Sequence, residues 1–228
     1  MIAVQLNKRD FEYDIHSLIR AFYPGMDVPV YQEGEAEPEG WEKKLVVDYQ
    51  SDQIRLELMD EKGGILEKAQ RDVDYEADRK ATKNVLKSML YEMLRDYTGQ
   101  SLPWGNLTGI RPTKIPMALL EQGWKNTEIA DYMRKTYYTS NEKTALSIMI
   151  ANRERHILKD INYEDGYSLY VGIPFCPSIC LYCSFSSSPL AVWRDKVDMY
   201  LDALCKEIEA CARIYQNRKL DTIYMGGG

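Results

Sequence analysis

Three cysteines fall within eight residues, Cys176-Pro177-Ser178-Ile179-Cys180-Leu181-Tyr182-Cys183, directly after an apolar run from Ser168 to Ile173. This C-x3-C-x2-C spacing constrains the chain more than any other feature. Thiols so close must share one loop, and that loop must be held by the strand before it. A helical pattern from about Arg194 to Gln216 follows, then a second apolar run from Leu220 to Met225 that ends in Gly226-Gly227-Gly228. Strand, helix and strand in that order predict a βαβ unit, whose right-handed crossover lays its strands parallel. The fold class expected for this part is α/β.

Clustered thiols converge naturally on metal. Each iron of an inorganic cluster needs a sulfur ligand, and one loop can supply three of them from one side. Three ligands leave one iron of a [4Fe–4S] cluster open, which is what a chelating cofactor needs, whereas a cluster that only carries electrons usually has four cysteines. A zinc knuckle is the alternative. It would need a fourth tetrahedral ligand, and the two histidines, His16 and His156, both lie far upstream, with His156 on a predicted helix. They are expected to be helix-surface or core residues. Cys205 and Cys211 lie on the helix after the loop, whose apolar stripe is read through Val197, Leu201, Leu204, Ile208 and Ala212. They are expected to be core thiols and not ligands.

Upstream the pattern is different. A strand near Ile2 to Leu6, a helix from about Phe11 to Phe22, and alternating runs at Leu45 to Tyr49 and Ile54 to Met59 predict a small α+β region. A third strand over Ile65 to Val73 follows the Lys62-Gly63-Gly64 turn, and a long helix from about Tyr75 to Tyr97 closes the region. Gly34 to Gly40 is a glutamate-rich loop. Beyond Gly99, the turn-rich stretch Leu102 to Lys114 leads into three helical segments, with Asn126 and Thr139 at plausible helix starts and Glu142 completing a capping box with Thr139. The expected organisation is an accessory α+β domain over 1–99, a helical connector over 100–166, and the cysteine-bearing βαβ unit over 167–228. Residues 1 to 160 read as a docking or covering module that folds without metal.

The formal net charge of −6 belongs to the first hundred residues, and residues 167 to 228 balance. An acidic chain is a poor electrostatic partner for nucleic acid, so nucleic acid is not expected as a ligand. The N-terminus turns polar too early for a signal peptide, and the longest apolar stretches fall well short of a membrane span. Five cysteines, three of them clustered, do not resemble a secreted disulfide framework. A cytoplasmic protein without a membrane span is expected.

Tyr170-Val171-Gly172-Ile173-Pro174-Phe175-Cys176 and the cysteine loop resemble the Y-x-H-I-P-F-C-x3-C-x-Y/F-C signature of oxygen-independent coproporphyrinogen III oxidase-like radical S-adenosylmethionine proteins. The Trp104 to Lys114 segment resembles the HemZ group of that family. The resemblance implies that Cys176, Cys180 and Cys183 ligate a [4Fe–4S] cluster. It implies that Tyr182 packs on the adenine of S-adenosylmethionine and that Tyr170 contacts the same cofactor. Gly226, Gly227 and Gly228 match the glycine-rich strand end that lets backbone approach the methionine moiety.

The chemistry implied is the cofactor's: an electron enters the cluster, the sulfonium is cleaved, and a 5′-deoxyadenosyl radical abstracts a substrate hydrogen. In the family's dehydrogenases, propionates of coproporphyrinogen III become vinyl groups in porphyrin and haem biosynthesis. The implied partners are a porphyrinogen or haem and an electron donor such as flavodoxin or ferredoxin.

Two positions depart from the pattern. Gly172 replaces the family histidine, and Phe185 stands where the dehydrogenases carry a fourth cysteine, as in the haem-chaperone branch. A haem-binding carrier, or a radical enzyme with another substrate, is therefore the alternative. The family fold is a partial (βα)6 barrel, of which one βαβ unit is only the start. The chain is expected to be the N-terminal portion of a longer protein and to be inactive alone.

Overall fold

The computed structural model describes residues 1 to 75 and 78 to 227. They form two compact units, Met1–His156 and a second from Ile157 onward. The architecture is mixed α/β.

The first unit is built on a five-stranded sheet ordered β2-β1-β3-β4-β5, with β1 Ile2–Leu6, β2 Val30–Gln32, β3 Lys43–Tyr49, β4 Gln53–Asp60 and β5 Ile65–Asp72. β1 runs parallel to both β2 and β3, and β3, β4 and β5 form an antiparallel meander. Strict alternation sends Ile2, Val4, Leu6, Leu45, Val47, Tyr49, Ile54, Leu56 and Leu58 into one core. α1 (Glu12–Phe22) adds Ile15, Leu18, Ile19 and Phe22 to it, and α2 (Arg79–Thr98) adds Leu86, Met89, Leu90, Tyr91 and Leu94. Each such side chain contributes about 1.5–3 kcal/mol of burial.

β2 escapes periodicity analysis because three residues after Pro29 are too few to show a period. α2 begins later than the pattern suggests. The Asp78 side chain accepts from the Lys80 and Ala81 amides, which places the cap there, and residues 76 and 77, which the pattern includes in the helix, lie outside those described. At its other end Gly99, in the left-handed region, donates to the Arg95 carbonyl.

The helical segments α3 (Lys114–Glu121), α4 (Asn126–Tyr137) and α5 (Asn141–Leu158) bury Leu120, Ile129, Met133, Ile148 and Ala151 in a second cluster. The start of α5 corrects the expected cap. Ser140 accepts from the Lys143 amide through its hydroxyl, while the Thr139 hydroxyl is buried against that of Thr144. At α4 the helix starts at Asn126, as expected, and the Glu128 carboxylate accepts from the Lys125 amide. The Trp104–Lys114 segment has a structural role: Asn106 is buried, its amide donates to the Tyr137 carbonyl, and its side chain donates to Ser88 on α2. Nearby, Lys87 on α2 reaches Thr108 at 3.0 Å.

In the second unit β6 (Tyr167–Ile173) pairs in parallel with β9 (Leu220–Gly227), and α7 (Val197–Ile214) lies between them in sequence. This is the expected strand–helix–parallel strand order. α7 half-buries Val197, Tyr200, Leu204, Ile208 and Cys211, a stripe at helical spacing. That stripe corrects the expected one: Leu201, Ala212 and Cys205 are exposed, on the flank of the helix roughly 60–100° from the middle of the stripe. Cys205 is therefore not a core thiol.

Candidate functional site

The cysteine loop leaves β6 at Pro174 and is closed at its neck by two short strands. β7 (Phe175–Cys176) pairs in parallel with β8 (Ser188–Pro189), and the Ser188 amide donates to the Pro174 carbonyl at 2.8 Å. After β8 come α6 (Leu190–Trp193) and a short 3-10 turn over Arg194–Lys196 that enters α7. Cys176 is thus held by backbone pairing, while Cys180 and Cys183 ride on a turn in which the Cys183 amide donates to the Cys180 carbonyl. A second anchor comes from α7. The Tyr200 hydroxyl donates to the Gly172 carbonyl at 2.6 Å, and its ring meets Phe175 edge-on at 5.1 Å. Residues on both sides of Pro174 are therefore tied to the helix.

Inside the loop lies a concavity of about 500 Å³, lined by Cys176, Cys180, Cys183, Tyr182, Phe185 and, from the end of β9, Tyr224 and Gly227. All three thiols are free. Cys180 is exposed, and Cys176 and Cys183 are half-buried. Serines 178, 184, 186 and 187 supply the remaining polar surface. The donor set is soft and sulfur-only, the type that suits iron–sulfur chemistry. Among the described residues, no three His, Cys, Asp or Glu side chains are gathered closely enough to hold a single metal ion.

The aromatic and glycine residues singled out in the sequence divide. Tyr182 lines the concavity and is almost wholly exposed, whereas Tyr170 stands outside its lining, stacked on Tyr224. Gly226 and Gly227 pair with Gly172 and Ile173 across the β6–β9 ladder. Gly227 has φ +114, and an added Cβ there would collide with the Ile173 carbonyl oxygen. Gly228 lies outside the described residues. Gly172 is sterically open: a Cβ would meet only the Tyr170 ring, at an ordinary 3.4 Å. His16 is half-buried on α1 and His156 exposed on α5, both in the first unit.

Over 152 residues, 65% of its length, the chain is 33% identical to the oxygen-independent coproporphyrinogen-III oxidase-like protein HemZ of Bacillus subtilis, of which it covers 30%. The chain is similar to members of the oxygen-independent coproporphyrinogen III oxidase-like family. A 65-residue stretch, 28% of the chain, is 43% identical to the oxygen-independent coproporphyrinogen III oxidase of Mannheimia haemolytica and covers 44% of it. A 61-residue stretch, 27% of the chain, is 38% identical to the heme chaperone HemW of Lactococcus lactis and covers 14% of that protein. No family model matches the chain, and no solved structure matches it. Among the described residues, no helix is long and apolar enough to cross a membrane.

Two parts of the site escape sequence reasoning. The β7–β8 neck is invisible because two-residue strands leave no periodic trace. Tyr224 was legible only as a strand residue, since its place in the concavity depends on pairing with Tyr170 across the ladder. Its position two residues before the glycine run was the available signal.

Proposed function

We propose that the cysteine loop holds a [4Fe–4S] cluster through Cys176, Cys180 and Cys183, and that the protein is a radical S-adenosylmethionine oxidoreductase acting on propionate side chains of a porphyrinogen. The observation that carries this reading is the sharing of one concavity by three free thiols, on a loop closed at its neck and facing the glycine end of a parallel strand. When bound, the cluster and S-adenosylmethionine supply one-electron cleavage of a sulfonium carbon–sulfur bond. The chain's own residues bind and orient. Each thiolate serves a different iron, and Tyr182 and Phe185 offer apolar surface that excludes water from the concavity. Gly226 and Gly227 admit the methionine end to strand backbone. Gly228 completes the same run.

On this reading the βαβ unit is the opening of a partial (βα)6 barrel, and the residues before it, an accessory α+β domain with its helical connector, are a docking or covering module. An electron donor such as flavodoxin or ferredoxin reduces the cluster, and free thiols suit a cytoplasmic setting. One observation favours a second reading, that of a haem carrier: Phe185, at the position of the dehydrogenases' fourth cysteine, is 82% exposed and lines the concavity. The relatives include proteins named for both roles.

Anaerobic reconstitution of the protein with iron and sulfide tests the cluster. Cys180→Ala is expected to abolish iron binding, and Cys205→Ala, on the exposed side of α7, to leave it unchanged. Full iron content in Cys180→Ala would refute the assignment. Incubation with coproporphyrinogen III, S-adenosylmethionine and a reductant then separates the roles. Vinyl product marks the oxidoreductase, and tight haem binding without product marks the carrier.

A further inference from the structure

We propose that Tyr200 is a positioning residue for the cluster ligand Cys176, and that it supplies the order which Gly172 withholds. The inference rests on the reading of the cysteine loop as a cluster site. Three residues lie between Gly172 and Cys176, and each carries its own restraint. Ile173 precedes a proline and is confined to extended backbone. Pro174 has its φ fixed by its ring and accepts from the Ser188 amide, and Phe175 packs edge-on against Tyr200. Gly172 has no side chain, and neither has its ladder partner Gly226. The strand is therefore least restrained where the chain is about to leave it for the loop. Gly172 is also the position at which the family signature carries histidine.

Tyr200 acts at that point. Half-buried in the first turn of α7, it donates its hydroxyl to the Gly172 carbonyl at 2.6 Å while its ring meets Phe175 at 5.1 Å. One side chain thus restrains the backbone on both sides of Pro174. Cys176 is the thiol nearest the strand, so the geometry of this neck decides how the three thiols converge. Gly172 itself has room for a side chain: a Cβ would meet only the Tyr170 ring, at 3.4 Å, and the backbone lies outside the left-handed region. Alanine there narrows the backbone's freedom without strain, and so does covalently part of what the Tyr200 bond does.

The test is the rate at which a ferrous chelator strips iron from the anaerobically reconstituted protein, with the electron paramagnetic resonance spectrum of the reduced cluster recorded on each variant. Tyr200→Phe keeps the ring and loses the hydroxyl bond. Iron loss about fivefold faster is expected, the factor carried by one neutral hydrogen bond, with a broadened spectrum as Cys176 samples more than one position. Tyr200→Leu also loses the ring pair and should lose iron about twentyfold faster. Adding Gly172→Ala to Tyr200→Phe should slow the loss again by about two- to fivefold and narrow the spectrum. Tyr215→Leu controls for general loosening of the same unit. It removes the stack on Tyr167, at 4.9 Å and at the far end of β6, and should leave both readouts at wild type.

Wild-type iron loss in Tyr200→Phe, equally fast loss in Tyr215→Leu, or no rescue by Gly172→Ala would overturn the proposal. Should Tyr200→Phe take up no iron, amide exchange of the metal-free protein decides. Faster exchange at Ser188, whose bond to Pro174 closes the neck, supports the role, and wild-type protection there overturns it. A wild-type protein that takes up no iron sinks the cluster reading and this inference with it, whereas each of the other adverse outcomes leaves that reading standing.

Discussion

Tyr91 is the test of whether the helical connector and the α+β sheet fold as one body. It is 1% exposed on α2, tilted against Phe22 of α1 at 5.6 Å on one side and stacked on Tyr138 at 4.9 Å on the other. Tyr138 closes α4 in the left-handed region, and its hydroxyl donates to the Glu92 carboxylate, which also receives Arg71 from β5. One ring therefore joins α1, α2 and the end of α4. Tyr91→Leu removes two aromatic pairs, each worth about 0.5–1.5 kcal/mol beyond area, and leaves part of the ring volume unfilled, for a total of roughly 2–4 kcal/mol. In a unit of this size that lowers the midpoint of thermal unfolding by roughly 5–15 °C. Urea titrations followed by circular dichroism should show a single transition shifted to lower urea at unchanged slope. Tyr163→Leu, at a 73% exposed position, is the control and should stay within about 0.5 kcal/mol of wild type. A Tyr91→Leu loss no larger than the control's would refute the argument that this ring couples the sheet to the helices.

Two further outcomes follow from local geometry. The Asp10 carboxyl is held below the ordinary carboxylate range, first by the hydrogen bond from the Tyr75 hydroxyl and then by the Arg79 guanidinium 2.6 Å away, against the opposing effect of burial. A depressed folded-state value means that the stabilisation is present above the unfolded value near 3.8 and is lost as pH falls through the folded one. Asp10→Asn should therefore be less stable than wild type near neutral pH, and the gap should close as urea titrations are taken to about pH 2; a constant gap would contradict the assignment. Gly227→Ala must place a Cβ against the Ile173 carbonyl at φ +114, a strain of about 1–3 kcal/mol. Faster amide exchange at the Ile173–Gly227 end of the ladder is expected, and unchanged protection would show that the backbone there adapts freely.

Where side-chain periodicity and covalent spacing carry the information, the sequence is sufficient. Alternation along Leu45–Tyr49 and Ile54–Met59 specifies which face of the meander is buried, and Asp60 with Gly63 specifies its turn, the Asp60 carboxylate accepting from the Lys62 and Gly64 amides. The thiol spacing puts Cys176, Cys180 and Cys183 on one loop whatever the rest of the chain does. Tertiary structure decides the remainder. Thr139 and Ser140 are both adequate caps, and the burial of Thr139 against Thr144 assigns the role to Ser140. Both Leu201 and Tyr200 could have faced the sheet, and a hydrogen bond to the Gly172 carbonyl selects Tyr200. The closing of the cysteine loop by Phe175–Cys176 and Ser188–Pro189, and the meeting of Tyr170 with Tyr224, depend on pairing between strands that are not adjacent in the chain. Local pattern records what each segment prefers, whereas register and neck closure are settled only when distant backbone amides and carbonyls find one another.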